Sequence, residues 1–299
     1  MFVNRRWVWI GASVVSWLLL LFFGVLRPLW ERSLAGACSL CAAPAAVPGR
    51  EDEAGFRRLG PPQPGEWRWS SHEAEQSFER YIGGSVNRKC EHRTTFYLQP
   101  LGGASARYPE LLERMRVHAE AYFGVPARIL DPIPMIDEAY ASARDQYNAT
   151  RIINVLADRH PADALAYMGI TEKDLYSEGL NFVFGEGSLH FRCGVYSLRR
   201  LETGDASLFL RRSLGLVCHE AGHILSIDHC SAWFCVMDGA NSLEESDRHP
   251  LHLCPVDLRK VLWNTGADRE ARYRRLYDLY RGWGLKSESD WVAHQLRLH

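Results

Sequence analysis

The chain has 299 residues and a formal net charge of −1 at pH 7. A near-neutral charge argues against general nucleic-acid binding, because that binding depends on a positively charged surface. About 230 residues follow position 70, which is enough for a single domain with a substantial core, and no internal repeat divides them.

The first predicted element, after a short flank at residues 1–6, is a membrane segment at residues 7–26. This run is mostly apolar and uncharged, and its twenty residues are enough for a helix to cross about 30 Å of hydrocarbon. A cleaved signal peptide is the alternative, because residues 35–37 read Ala-Gly-Ala, like a small-residue cleavage site. Either interpretation places the following domain on the non-cytoplasmic side of a membrane, although the charges that flank the run are nearly balanced.

Residues 27–66 are predicted to form a flexible linker, because they are rich in alanine, proline and glycine. Cys38 and Cys41 lie in this linker at CxxC spacing, for which lipidation or a disulfide is favoured over redox catalysis because no βαβ pattern surrounds them. Residues 67–299 are the predicted catalytic domain. Three of its cysteines are isolated in sequence and are expected to be buried thiols: Cys90, Cys193 and Cys218.

Hydrophobic periodicity within the domain predicts both strands and helices. The predicted strands are Thr95–Leu101, 180–184 and 194–198, the predicted helices are 111–123, 207–225, 258–264 and 268–281, and 147–156 fits either type. The last of these helices is rich in arginine, which would suit a membrane surface or nucleic acid. Its apolar residues recur at helical spacing, however, so we expect it to cover the domain.

The most informative motif is His-Glu-x-x-His at residues 219–223. On a helix, His219 and His223 project from one face with Cβ atoms about 5–6 Å apart, a span that one zinc ion bridges. His229 follows six residues later, and a sharp turn would bring it to the same ion while leaving a fourth position open for water.

Glu220 lies between the two helical histidines and is not itself a predicted ligand. Zinc held by three imidazoles lowers the pKa of bound water toward about 7. We expect Glu220 to be the general base, which takes the proton of the zinc-activated water and passes it to the leaving amine as a peptide bond breaks. The alternative is a chance arrangement, since HExxH alone occurs in ordinary helices; the added His229 favours a catalytic zinc.

A second set of metal ligands begins immediately after the third histidine. Cys230, Cys235 and Cys254 have the short spacings that are typical of a structural zinc site, and Asp257 stands where a fourth cysteine would complete it. Without a metal in an oxidising compartment, Cys230 could pair with Cys235 or Cys254 as a disulfide.

Three interpretations of Asp257 remain open at this point. Asp257 ligates zinc through a carboxylate oxygen, or His249 or His252 replaces it as the fourth ligand. In the third interpretation the site is incomplete, and Asp257 is an acidic residue in the first turn of a helix.

The order of these residues resembles the archaemetzincin family. Its signature is HExxHxxGxxHC, four residues, C-x-M, a gap of about seventeen residues and CxxC, and here the gap is sixteen residues. Further matching residues extend the resemblance over roughly residues 92–285. They are Tyr140, Arg144, Gln146, Tyr147, 169–171, 174–175, 180–186, Asn241, 243–245, 247–248, 250–251 and 253–255.

The resemblance implies an α+β, metzincin-like fold, with a mixed sheet packed against helices, a long zinc-binding helix and a compact lower subdomain. It also implies a catalytic zinc on the three histidines and a second, structural zinc on the cysteines. Met237 would form the Met-turn, an apolar floor beneath the zinc-binding histidines. Extended substrate would pair with an edge strand of the sheet. The candidate for this strand is Gly194, Val195, Tyr196 and Ser197.

Two residues depart from the family pattern. Ser226 replaces a glycine that ends the zinc helix, and a non-glycine residue with positive φ there would cost about 1–3 kcal/mol. Asp257 replaces the fourth cysteine. These departures keep open a catalytically silent, zinc-containing binding or regulatory module tethered to the membrane. The presence of Glu220 favours a membrane-anchored zinc metalloprotease that acts on peptide or protein substrates.

Overall fold

The computed structural model describes residues 48–49, 53–71 and 73–298. Its strands are β1 (Thr95–Leu101), β2 (Ala127–Ile129), β3 (Tyr140–Ala141), β4 (Gln146–Asn148), β5 (Ala164–Thr171), β6 (Leu175–Tyr176), β7 (Gly185–Ser188) and β8 (Cys193–Ser197). Its helices are α1 (Trp67–Ser70), α2 (Phe78–Ile82), α3 (Ala104–Arg107), α4 (Pro109–Phe123), α5 (Ala149–Asp158), α6 (Ala206–Ile224), α7 (Leu243–Arg248), α8 (Pro255–Thr265), α9 (Arg269–Gly282) and α10 (Lys286–Gln295).

Five strands form the main sheet in the order β2-β1-β5-β8-β7, and β3, β4 and β6 form a smaller sheet. In the main sheet β1 runs parallel to β2 and β5, and β5 runs parallel to β8, whereas β7 is antiparallel to β8. The α+β fold with a mixed sheet that the sequence predicts is therefore confirmed.

The main sheet is covered by helices on both faces. Phe96 and Leu98 of β1 point into the apolar cluster that contains α4 and α6, whereas Tyr97 and Leu101 point into the cluster that contains α5. Successive side chains of a strand alternate between faces, so a strand that is buried on both sides has an almost continuous apolar sequence. This packing holds α6 against the sheet beside β5 and β7.

Most predicted elements lie where the sequence places them. The strand at Thr95–Leu101 and the helices at 111–123, 207–225, 258–264 and 268–281 are confirmed to within a few residues. Residues 147–156 contain both alternatives, because β4 ends at Asn148 and α5 begins at Ala149. The strand predicted at 180–184 is wrong, since pairing with β8 begins only at Gly185.

The predicted substrate edge strand is also wrong. Gly194, Val195, Tyr196 and Ser197 lie in β8, which pairs with β5 on one side and with β7 on the other. The edge of the described sheet beside α6 is β7, whose sequence is Gly-Glu-Gly-Ser. Its glycines make room for the Tyr196 ring, because a Cβ atom on Gly185 would lie 2.1 Å from Tyr196 Cδ1. A strand rich in glycine has little β-propensity, which is why hydrophobic periodicity does not predict β7.

The described part of the predicted linker packs against the domain. Leu59 N–H donates to the Ala232 carbonyl at 3.0 Å, and the Arg57 carbonyl accepts from Phe234 N–H at 2.9 Å. The Arg57 guanidinium lies 3.8 Å from the centroid of the Phe234 ring. A flexible linker is therefore the wrong prediction for residues 53–66, where backbone pairing and arginine–aromatic stacking replace the apolar side chains that the composition lacks.

Among the described residues, none of the helices combines the length and the apolar composition needed to span a bilayer. The predicted membrane segment at 7–26, its flank at 1–6, and Cys38 and Cys41 all lie outside those residues.

Two of the three isolated cysteines are buried free thiols, as predicted: Cys193 and Cys218. Cys90 is disulfide-bonded, so its prediction as a buried thiol is wrong. A lone cysteine in a sequence does not show its partner, because disulfide connectivity depends on the fold.

Candidate metal centres

The helix α6 positions the first two histidines. It begins at an Asp205 cap, whose side chain accepts hydrogen bonds from Ser207 N–H at 2.9 Å and Leu208 N–H at 3.1 Å. Capping of this kind satisfies backbone donors that have no partner within the helix. The C-terminal turns of α6 are buried and carry His219 and His223 on one face.

A turn at Ser226 reverses the chain after α6. Ser226 has φ 67°, which confirms the predicted positive φ, and Ile227 N–H closes the turn on the Gly222 carbonyl at 3.0 Å. In this conformation the Ser226 side chain also forms a hydrogen bond, in which its Oγ accepts from Asn87 N–H at 3.0 Å. The turn directs the following segment back toward the helix and places His229 beside the other two histidines.

The three histidines form a compact cluster. Their nitrogen atoms lie within 4.8 Å of one another. The Nε2 atoms of His219 and His223 are 3.0 Å apart. Two ligands at 2.0–2.1 Å from one tetrahedral zinc ion would be separated by about 3.3 Å, so this spacing fits a shared metal.

Each of the three rings is oriented through its Nδ1 atom. The acceptors are the Val236 carbonyl for His219 at 2.8 Å, the Ile227 carbonyl for His223 at 2.8 Å and Glu73 Oε2 for His229 at 3.0 Å. A carbonyl oxygen only accepts, so Nδ1 of His219 and of His223 must carry the proton. Metal-binding histidines are commonly fixed in this way.

The protonation pattern tests whether the cluster fits a metal. Burial lowers the pKa of His219 to about 3 and that of His223 well below its ordinary value, so both rings are neutral. With the proton on Nδ1, neither Nε2 carries a hydrogen, and two lone pairs face each other across 3.0 Å. A shared cation removes this repulsion, and imidazole is a favoured ligand of zinc.

Glu220 lies beside the cluster on the same helix. Its side chain is buried, and burial raises its pKa to about 8, whereas a cation at the histidines would act in the opposite direction. A cavity of about 40 Å³ is lined by Glu220, His219 and His229. Glu220 therefore borders the same small space as two of the three histidines.

Met237 packs beneath the cluster. A Cβ atom on Gly222 would lie 2.5 Å from Met237 Sδ, so the methionine contacts the helix between His219 and His223. Met237 is fully buried, and its carbonyl accepts from Cys230 N–H at 2.8 Å. The residue thus links the two clusters and occupies the position expected of an apolar floor.

The second cluster consists of Cys230, Cys235, Cys254 and Asp257, whose ligand atoms lie within 4.8 Å of one another. Cys230 Sγ is 3.8 Å from Cys254 Sγ, and the three cysteines are free thiols, so the predicted alternative of a disulfide is not adopted. Backbone N–H groups point at the sulfurs: Cys254 N–H lies 3.1 Å from Cys235 Sγ, and Asp257 N–H lies 3.3 Å from Cys254 Sγ. Such donors stabilise thiolates, the form that binds zinc.

Asp257 takes part in this cluster through one oxygen. Its Oδ2 is 3.3 Å from Cys254 Sγ and 3.4 Å from Cys235 Sγ, and its Oδ1 is 2.8 Å from Lys260 Nζ. Burial raises the pKa of Asp257, an effect that the buried Lys260 opposes. A deprotonated carboxylate and three sulfur atoms are a donor set that suits zinc.

The two histidines proposed as substitutes for Asp257 lie elsewhere. His249 Nε2 is 3.6 Å from Asp238 Oδ2 and lines the cavity next to Glu220, and the His252 ring stacks on Trp291 at 3.8 Å between centroids. Neither belongs to a metal-ligand group among the described residues, so the geometry favours Asp257 as the fourth ligand.

Sequence reasoning missed three residues that contact these clusters. Glu73 bonds to His229, Lys260 pairs with Asp257, and the Trp67 ring packs on His229 with 4.5 Å between centroids. Lys260 lies one helical turn after Asp257, a spacing that could have suggested the pair. Glu73 and Trp67 precede the motif by about 150 residues, and no local pattern marks them.

Comparison with known proteins agrees with this geometry. A sequence model of Peptidase family M54 matches residues 115–262. Archaemetzincin-2 of Macaca fascicularis is 31% identical over 257 residues, covering 71% of this chain and 71% of the relative. Archaemetzincin of Archaeoglobus fulgidus is 34% identical over 165 residues, covering 55% of this chain and 97% of the relative.

Among solved structures, the archaemetzincin of Methanopyrus kandleri superposes with a TM-score of 0.53 at 28% identity, covering 60% of this chain and 99% of that one. The same relationship is therefore seen in sequence and in fold. The chain belongs to the archaemetzincin family and is a zinc metallopeptidase.

Proposed function

We propose that the three-histidine cluster is the active site, and that it hydrolyses peptide bonds in peptide or protein substrates. The observation that carries this proposal is the convergence of the His219 and His223 Nε2 atoms while their Nδ1 protons are held by carbonyl oxygens. His229 supplies the third ring, and Glu220 lines the same cavity as His219 and His229.

Zinc and Glu220 have different roles in the proposed reaction. A zinc ion at this site, when bound, polarises the substrate carbonyl and lowers the pKa of a water molecule. Glu220 accepts the proton of the attacking water and delivers it to the amine that leaves. Its burial supports this role, because a carboxylate away from bulk water exchanges protons with the substrate without competition from solvent.

The free edge of β7 is the proposed binding strand for extended substrate. β7 is antiparallel to its neighbour, ends the described sheet and contacts α6, which carries Glu220. A peptide added to this edge would gain main-chain hydrogen bonds. The side chain next to the cleaved bond would enter the cavity that His249 and Val236 help to line.

The cysteine cluster is the proposed site of a second, structural zinc. Cys230, Cys235, Cys254 and Asp257 are all buried, so all four coordination positions are filled by protein, as in closed structural sites. The chain would then bind two zinc ions of different function.

We further infer that residues 7–26 anchor the protein to a membrane as a single-pass segment, with the domain on the non-cytoplasmic side. The support is the apolar run itself and the disulfide at Cys90, since disulfides persist in oxidising compartments. Alkaline carbonate extraction of the full chain tests the anchor. Release into the supernatant would overturn it, and the N-terminal sequence of the mature chain would identify a cleaved signal peptide.

The proposed active site is tested by zinc content together with peptide cleavage. Two zinc ions per chain after exhaustive dialysis are expected, and His223→Ala should leave one and abolish cleavage of a peptide library read by mass spectrometry. Zinc binding without cleavage of any peptide would instead favour the catalytically silent binding module.

A further inference from the structure

A second cavity lies on the opposite side of the wall formed by Arg211, Pro250 and Leu251, which also line the cavity beside Glu220. Its volume is about 300 Å³, at the lower end of the range for small-molecule sites. Side chains from α9 and α10 form much of its surface, and both helices follow the segment that matches the family.

Arg272 is the unusual residue of this cavity. Its side chain is only 3% exposed, and its Nε donates to the Tyr122 carbonyl at 2.7 Å. The Nη2 atom is buried and has no hydrogen-bond partner, and no carboxylate in the described chain forms an ion pair with the guanidinium. The Tyr122 and Tyr273 rings, at 4.3 and 5.3 Å, are its other close neighbours.

A buried guanidinium without a counter-ion is costly, because cation–π contacts offset only part of the lost hydration. Arginine cannot reduce this cost by losing its proton, since the guanidinium stays protonated in proteins. The cost falls when an anion enters and accepts hydrogen bonds from the Nη atoms. Arg272 therefore points to a bound negative group as the missing partner.

The rest of the lining supports an anion. Arg57, Arg211, Arg248 and Arg272 all contribute, against a single glutamate, Glu288, which pairs with Arg211 at 2.7 Å. Arg248 pairs with Glu244 at 3.8 Å, so Arg57 and Arg272 are the two arginines of the lining without a carboxylate partner among the described residues.

The walls also specify an apolar body for the ligand. They consist largely of buried aromatic and aliphatic side chains: Tyr122, Tyr273, Leu276, Tyr280 and Val292. The buried Nη2 group of Arg272 lacks a partner, and a carboxylate suits a guanidinium because it can accept from it in bidentate fashion. A highly charged phosphate ester would carry more charge than the one buried cation neutralises.

We propose that this cavity binds a monocarboxylate with an aromatic or aliphatic body, held by Arg272. The carboxylate comes from one of two sources, a free organic acid or the C-terminal residue of a peptide. The site is independent of the zinc chemistry, although the shared wall at Arg211 places its occupant next to the proposed active site.

Calorimetric titration of the full chain tests the proposal with 3-phenylpropionate and N-acetylphenylalanine, each compared with its neutral amide. Each acid that enters the site should bind at least about tenfold more tightly than its amide, as expected for loss of a charge-assisted hydrogen bond. Binding of 3-phenylpropionate alone assigns the site to free acids, and binding of N-acetylphenylalanine assigns it to peptide C-termini. Equal binding of acids and amides, or no binding, overturns the proposal.

Variants locate the binding to Arg272. Arg272→Met should weaken acid binding by about tenfold or more, whereas Arg275→Met, on the exposed side of the same helix, should leave it unchanged. If Arg272→Met does not fold, Arg57→Gln removes an exposed cation from the lining and should weaken binding measurably. Since carboxylates also bind zinc, the titration is repeated on His223→Ala. Persistence of binding there supports the proposal, and its loss overturns it.

Discussion

The histidine cluster and the cysteine cluster lie within the same forty residues but are built in opposite ways. In the histidine cluster the surrounding groups are acceptors, which hold the Nδ1 protons of the rings. In the cysteine cluster the surrounding backbone groups are donors, which point N–H bonds at the sulfurs. Acceptors keep a neutral ring in one tautomer, whereas donors stabilise a charged thiolate.

The two clusters also differ in their access to solvent and substrate. Three rings leave one side open to a cavity with Glu220, whereas the cysteine cluster is closed by Asp257 and backed by Lys260. An open position is needed where substrate must reach the metal, and a closed one where the metal only holds the chain together. The comparison predicts that changes in the first cluster affect catalysis, and that changes in the second affect stability.

The largest effect is expected from Glu220→Gln. Glutamine is nearly isosteric but cannot accept the proton of the attacking water, so kcat for peptide cleavage should fall by about 10²- to 10⁴-fold. Zinc content should stay the same, because Glu220 is not a ligand. Glu113→Gln, which changes an exposed glutamate on α4, is the matched control. Peptide cleavage near the parent rate would remove Glu220 from the mechanism.

The next largest effect is expected from Asp257→Ala in the cysteine cluster. The substitution removes the proposed fourth ligand and leaves Lys260 as a buried, unpaired cation, so the free energy of unfolding should drop by about 3–5 kcal/mol. Urea unfolding measures this loss, and elemental analysis should show one zinc per chain in place of two.

Two further variants sharpen the same test. Asp257→Cys supplies a fourth thiolate and should keep two zinc ions, whereas the exposed Asp158→Asn should change neither zinc content nor stability. A stable Asp257→Ala protein with two zinc ions would show that the cluster does not depend on this carboxylate.

A smaller effect is expected from a change of Glu73, which contacts the histidine cluster. Glu73→Ala leaves the His229 Nδ1 proton without its acceptor, so the affinity of the histidine site for zinc should fall by about 10- to 100-fold. Glu73→Gln keeps an acceptor oxygen and should lose less. Competition with a chelator measures both, and Glu75→Gln, an exposed neighbour, is the control. An unchanged zinc affinity in Glu73→Ala would leave His229 positioned by packing alone.

The residues of both clusters were predictable because they lie close together in the sequence. His219 and His223 share a helical face, and Cys230, Cys235 and Cys254 have spacings that zinc sites commonly use. What was not predictable depends on the fold. Glu73 reaches His229 across 156 residues, and its sequence neighbourhood carries no motif.

The main sheet also contains strands that the sequence predicts and one that it does not. Strands with apolar side chains on both faces, such as β1, are visible in the sequence because burial demands a continuous apolar run. β7 contains two glycines, whose lack of side chains accommodates Tyr196 from the neighbouring strand. The order of strands, and with it the identity of the edge, follows from this pairing and is not encoded by periodicity.

The smallest effect is expected at Ser226, in the turn that brings His229 back toward His219 and His223. Glycine there relieves the positive φ, but it also removes the hydroxyl that accepts from Asn87 N–H, so the two contributions oppose each other. Ser226→Gly should therefore leave the free energy of unfolding within about 1 kcal/mol of the parent. Ser226→Ala loses the hydrogen bond and keeps the unfavourable backbone, so it should be less stable than the glycine variant by about 1–2 kcal/mol. Equal stability of the two variants would show that metal binding and packing absorb the backbone strain at this turn.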